Sequence, residues 1–143
     1  MKSNKNNVFQ LELKWHPVAA SVLLALPFVA HTAEISMKNG VVSSVGNVPV
    51  ININKANDKG LSHNVYDKLN VDKNGLIFNN SVGGANTTLA GQIQGNSNLT
   101  SGAAKVILNE VTSKNASAIN GMMEVAGDKA DLIIANPNGI TVN

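Results

Sequence analysis

Cysteine and arginine are both missing from the 143 residues. The first absence excludes disulfides, cysteine-based zinc sites and thiol catalysis. The second leaves lysine as the source of all 11 basic residues. Nucleic-acid binders normally display a basic patch rich in arginine, so no nucleic-acid partner is expected. Aromatic residues are scarce: beyond residue 33 only Tyr66 and Phe78 remain. That is fewer than the core of an ordinary β-sandwich normally uses, and it weakens a sugar site, which would stack rings on its ligand. A Walker-type phosphate loop and a GxGxxG motif are absent as well, so no nucleotide cofactor is expected. The longest apolar run, Val18 to Ala30, is broken by Pro27 and too short to span a bilayer as a helix.

That run is flanked as a secretory signal would be. Met1 to His16 is polar and carries Lys2, Lys5 and Lys14; small residues follow the run at Ala30, Thr32 and Ala33. Residues 1–33 are therefore read as a signal peptide, cleaved after Thr32 or Ala33, and 34–143 as the mature chain. Removing the leader leaves 8 lysines against 8 carboxylates, so the positive net charge belongs to the leader.

The mature chain is rich in two residues. All 12 glycines and 19 of the 22 asparagines lie beyond residue 33. Disorder does not follow, because the same stretch holds 29 Ile, Val and Leu, of which 22 are β-branched. That ratio favours strands. Short apolar runs (Val48–Ile53, Leu69–Asp72, Leu76–Phe78, Val106–Leu108, Leu132–Ile134) end at Asn/Gly punctuation. Asn39-Gly40, Asn74-Gly75, Asn120-Gly121 and Asn138-Gly139 read as turns whose residues tolerate a left-handed backbone. Gly102–Val111 lacks a clean helical face and is predicted as a strand. The whole is an all-β pattern that points to a solenoid with asparagine ladders. No fixed period emerges, so periodicity alone leaves a sandwich or barrel open.

Few groups could carry chemistry. Ser62-His63-Asn64 holds the one histidine of the mature chain. Neighbours on an extended strand point to opposite faces, so Ser62 and His63 are poorly placed to form a hydrolytic dyad. Asn70–Gly75 is similar to the start of an EF-hand loop, but the twelfth position is Ser81 where glutamate is needed, and a turn is expected instead of a metal site. Four glycosylation sequons begin at Asn79, Asn86, Asn98 and Asn115, as chance would give in so asparagine-rich a chain. No catalytic residue, metal or cofactor is predicted.

A set of dispersed motifs is more specific: Asn57-Asp58-Lys59-Gly60-Leu61-Ser62-His63-Asn64, Tyr66, Leu69-Asn70-Val71, Gly75-Leu76-Ile77, Asn79-Asn80-Ser81, Leu89-Ala90-Gly91, Asn96-Ser97-Asn98-Leu99, Ile107–Val111, Glu124-Val125-Ala126-Gly127 and Ala135-Asn136-Pro137-Asn138-Gly139-Ile140. In this order they resemble the N-terminal secretion domain of filamentous haemagglutinin-like exoproteins. These are the large adhesins and contact-dependent toxins of two-partner secretion in Gram-negative bacteria.

The resemblance implies a right-handed parallel β-helix with extra-helical capping strands. It implies export by the Sec machinery, then recognition by an outer-membrane β-barrel transporter of the two-partner type. A host or neighbouring-cell surface would be engaged through regions further along such exoproteins. The residues it singles out for recognition or folding are Asn57, Gly60, Ser62, His63 and Asn64, then Asn96, Asn98 and Leu99, then Asn136, Pro137, Asn138, Gly139 and Ile140. Family members often carry proline where Ser97 stands, and serine also suits the cytolysin branch. Members normally continue with more coils beyond a position such as Asn143. The chain is therefore expected to be a truncated piece, about half of one secretion domain, with a β-helix incomplete at its C-terminus and an unpaired edge on the last coil. The alternatives are the matching piece of a pore-forming cytolysin, a small stand-alone surface-binding β protein, and a hydrolase built on Ser62 and His63.

Overall fold

The computed structural model describes residues 34–143, so the expected leader at 1–33 lies outside the described residues. Within them the chain forms strands and no helix: β1 (Ile35–Met37), β2 (Val42–Val45), β3 (Val48–Asn52), β4 (Leu61–Leu69), β5 (Leu76–Asn80), β6 (Ala85–Thr87), β7 (Gly91–Ile93), β8 (Val106–Val111), β9 (Ser117–Ile119), β10 (Met123–Gly127), β11 (Asp131–Ala135) and β12 (Ile140–Val142).

Three parallel faces wind into three successive coils. The first face is β3, β5 and β10; the second is β4, β8 and β11. The third is β9 and β12, preceded by Val71, which bridges to Ile119. Successive strands of each face are parallel and joined through the other faces. This is a β-helix, which excludes the sandwich and barrel that the sequence left open. The strands align inside in stacks: Ile51, Phe78 and Val125 on the first face, Ser62, Ile107 and Leu132 on the second, Val71 and Ile119 on the third, where Val142 is next in register but exposed. Such stacking lets thin, branched side chains fill the interior, and it explains why β-branched residues outnumber aromatic ones. Tyr66 and Phe78 both sit in this interior, fully buried.

The first coil is closed at its outer end by two strands that break the parallel rule. β1 runs antiparallel to β4, and β2 antiparallel to β3. They cover the two edges that the first coil would otherwise present for pairing, and these are the capping strands.

The second coil carries an excursion between β5 and β8. It contains the antiparallel β6–β7 hairpin, and its Ala85, Leu89, Ala90 and Ile93 cover the outer side of Val50, Ile77 and Ala126. β5 is consequently buried on both faces, which is why Leu76-Ile77-Phe78 reads as a continuous apolar run without alternation. Gly83-Gly84 is the entrance to this hairpin.

Two expectations change. The predicted strand over Gly102–Val111 is confined to Val106–Val111. Gly102 has φ +92°, which breaks extension, and Ala104 is held by a side chain, its N–H donating to Asn80 Oδ1 at 2.7 Å. The asparagines, moreover, do not occupy the left-handed region: among the described residues every positive φ belongs to glycine. Their abundance has another cause, found in their side chains.

Candidate functional site: the asparagine turns

The first motif begins in a tight loop. Asn57 Oδ1 accepts the N–H groups of Lys59 and Leu61, both at 3.0 Å, and the Gly60 N–H donates to Asn57 O at 2.9 Å. Gly60, with φ +81°, turns its carbonyl to the second coil, where it accepts the Lys105 and Val106 N–H groups. β4 follows, and its alternation separates the next three residues. Ser62 and Asn64 point inward and are fully buried. The Ser62 hydroxyl donates to Asn54 O at 2.7 Å, and Asn64 Oδ1 accepts the Asn54 N–H at 3.0 Å. His63 points outward, where Nε2 meets Glu110 Oε2 at 2.7 Å on an exposed surface. Ser62 and His63 therefore lie on opposite faces of β4, as the alternation requires, and make no nucleophile–base pair.

The second motif closes the excursion. Asn96 is buried; its Oδ1 accepts the Asn98 N–H at 3.0 Å while its Nδ2 donates to Ile53 O and Asn79 O, each at 2.9 Å. Asn98 Nδ2 donates to Asn52 O and Ile53 O, both at 3.3 Å. Leu99 is buried in the main core.

The third motif repeats the device at a different corner. Asn136 Oδ1 accepts the Asn138 N–H at 2.9 Å, and Nδ2 donates to Asn115 O and Ser117 Oγ, each at 2.9 Å. Asn138 Nδ2 donates to Ser113 O at 2.7 Å. Gly139, with φ +105°, donates its N–H to Asn136 O, and its own carbonyl accepts the Ser117 N–H at 3.0 Å. Pro137 is exposed, and Ile140 pairs with Ser117 and is 40% exposed.

One rule covers Asn96 and Asn136. The side-chain oxygen closes a turn two residues ahead, and the side-chain amide staples that turn to a neighbouring part of the helix, through two backbone carbonyls for Asn96 and a carbonyl and the Ser117 hydroxyl for Asn136. Aspartate could supply the first bond and not the second, because an ionised carboxylate only accepts whereas an amide both accepts and donates. The first and second motifs share a corner, since Ile53 O and Ala56 O accept from Asn96, Asn98 and Ser101. The third sits over residues 113–117 of the coil before it.

Several residues outside these motifs belong to the same system. Asn79 Nδ2 donates to Asn52 Oδ1 at 2.9 Å, a ladder rung between adjacent coils, and Asn80 Nδ2 reaches Ala104 O and Asp128 O. The buried Tyr66 hydroxyl donates to Asn109 Oδ1 at 2.8 Å. Burial pushes the Tyr66 phenol well above its ordinary pKa. No buried side-chain nitrogen or oxygen among the described residues lacks a partner. The Asn74 turn is closed by Asp72 Oδ1 accepting the Asn74 N–H at 2.9 Å, which gives that stretch a structural use.

Capping strands, stacked parallel coils and amide-stapled turns define a β-helical module whose motif residues bind backbone. The comparisons agree. The family model described as the TPS secretion domain matches residues 29–143, and the chain belongs to that family. It is 49% identical over 129 residues to the 16S rRNA endonuclease CdiA of Enterobacter cloacae, covering 86% of this chain and 4% of that protein. It is 41% identical over 143 residues to a hemolysin of Serratia marcescens, covering 96% of this chain and 9% of that one. Among solved structures, the crystal structure of the filamentous hemagglutinin secretion domain superposes with a TM-score of 0.72 at 43% identity, over 76% of this chain and 37% of that one. The chain thus spans a small part of the length of these relatives. As a TPS domain it is a secretion-targeting module of the two-partner type, found in secreted or cell-surface proteins of Gram-negative bacteria.

Proposed function

We propose that this chain is the address and folding nucleus of a larger exoprotein. Residues 1–33 direct Sec export and are removed. The periplasmic domains of an outer-membrane two-partner transporter then take up residues 34–143, and the capped first coil seeds the β-helix outside the cell. The observation that carries this reading is the amide-stapled solenoid: each coil is completed by bonds to a neighbouring coil, so a chain emerging from a pore can fold coil by coil with no other energy source.

In this reading the domain has no catalysis of its own, and the enzymatic names of its relatives describe activities of their full-length chains. The three motifs act mainly by building turns. Asn57, His63, Asn98 and the run from Pro137 to Ile140 are the exposed members open to a transporter. Both CdiA and hemolysin relatives match, so a toxin, adhesin or cytolysin as the parent protein is equally served.

The test is export. The tagged chain, expressed with and without a cognate two-partner transporter, should reach the medium only when the transporter is present. Deleting residues 2–30 should hold it in the cytoplasm. Equal release without the transporter would contradict the proposal.

A further inference from the structure

We infer that the excursion Ser81–Lys105 is a strap closed in two stages, its base by the first two coils and its tip by the third, with Glu124 as the latch. The base is pinched where the Asn96 N–H donates to Ser81 O at 2.7 Å. It is tied to earlier coils by Asn79 Nδ2 donating to Gln94 O and by the Asn96 amide on Ile53 O and Asn79 O. All of these partners precede the strap in sequence or belong to it. The tip is held differently. Glu124, on the outer face of β10, accepts the Thr88 N–H with Oε1 at 2.8 Å and the Leu89 N–H with Oε2 at 3.0 Å. Both carboxylate oxygens are used, and each bond is charge-assisted.

Thr88 and Leu89 are made long before Glu124, so their amides have no such partner until the third coil is laid down. Beneath the strap, Val50, Ile77 and Ala126 come one from each coil. In a solenoid a coil touches only its neighbours, and the strap, as part of the second coil, spans both of its neighbours at once. Docking of the third coil therefore locks the first two. That gives coil-by-coil folding a step that resists reversal.

Amide hydrogen exchange of the whole chain with Glu124→Gln tests this without a transporter, so it stands or falls apart from the export reading. Glutamine keeps one acceptor oxygen and loses the charge and the second. Thr88 and Leu89 should exchange roughly tenfold faster or more, while the Asn96 amide at the strap base is unchanged. Unchanged protection at Thr88 and Leu89, or equal acceleration at Asn96, would overturn the inference. Should that variant not fold, the wild-type chain decides the matter in low denaturant. Thr88 and Leu89 should then open together with the β10 amides; opening together with Asn96 instead would overturn it.

Discussion

Asparagine at positions 96 and 136 is worth more than its turn propensity. The amide closes a turn and staples a coil, and aspartate would keep only the first bond. Asn96→Asp would set a carboxylate against two buried carbonyls, whereas Asn136 is partly solvated. Urea unfolding should show a loss of about 3 kcal/mol for Asn96→Asp and about 1 kcal/mol for Asn136→Asp. Equal losses would mean that burial of the staple does not matter. His63 is the contrast. Its pairing with Glu110 is exposed, so His63→Ala should change stability by no more than about 0.5 kcal/mol, measured in the same way.

Tyr66 gives a pH-dependent signature. Its phenol titrates higher in the folded chain than in the unfolded chain, whose value is near 10. Above that pH the unfolded state binds fewer protons than the native state, so stability is intact below about 10 and falls as pH rises. Tyr66→Phe should lose about 1 kcal/mol at neutral pH, by leaving Asn109 Oδ1 without its donor, and should show a shallower alkaline decline than the wild type. An identical alkaline slope in the two proteins would place the effect elsewhere.

At the scale of the element, the strands were legible and their purpose only partly so. The runs at 48–52, 76–78, 106–108 and 132–134 are strands because β-branched residues suit a stacked interior. The hairpin β6–β7 was not legible: Ala85–Thr87 and Gly91–Ile93 are short and carry little apolar patterning, and they form where the outer side of Ile77 needs cover. The asparagines are legible as turn and ladder residues, but not the particular carbonyls they bind, which lie tens of positions away. Gly121 shows how tight the corners are. A Cβ there would overlap the Asp72 carbonyl of the coil before. Gly121→Ala should cost about 3 kcal/mol or more in urea unfolding. A near-neutral result would mean that the corner relaxes.

For the whole molecule, the missing period has a plain cause. On the third face, Asn70 and Ala118 are 48 positions apart, and Asn120 and Asn143 are 23 apart. The strap inflates one coil, so a chain of regular coils has no regular sequence. The motif order survived this irregularity because each motif is defined by a local turn, and the family match follows it across residues 29–143.

In the proposed function the motifs serve secretion by building the coils. Transporter-dependent export of Asn96→Asp and Asn136→Asp, scored beside their unfolding midpoints, tests it most directly. Export should fall in step with stability, further for Asn96→Asp than for Asn136→Asp. An Asn136 variant with wild-type stability and abolished export would contradict the claim, and would make that turn a contact surface for the transporter.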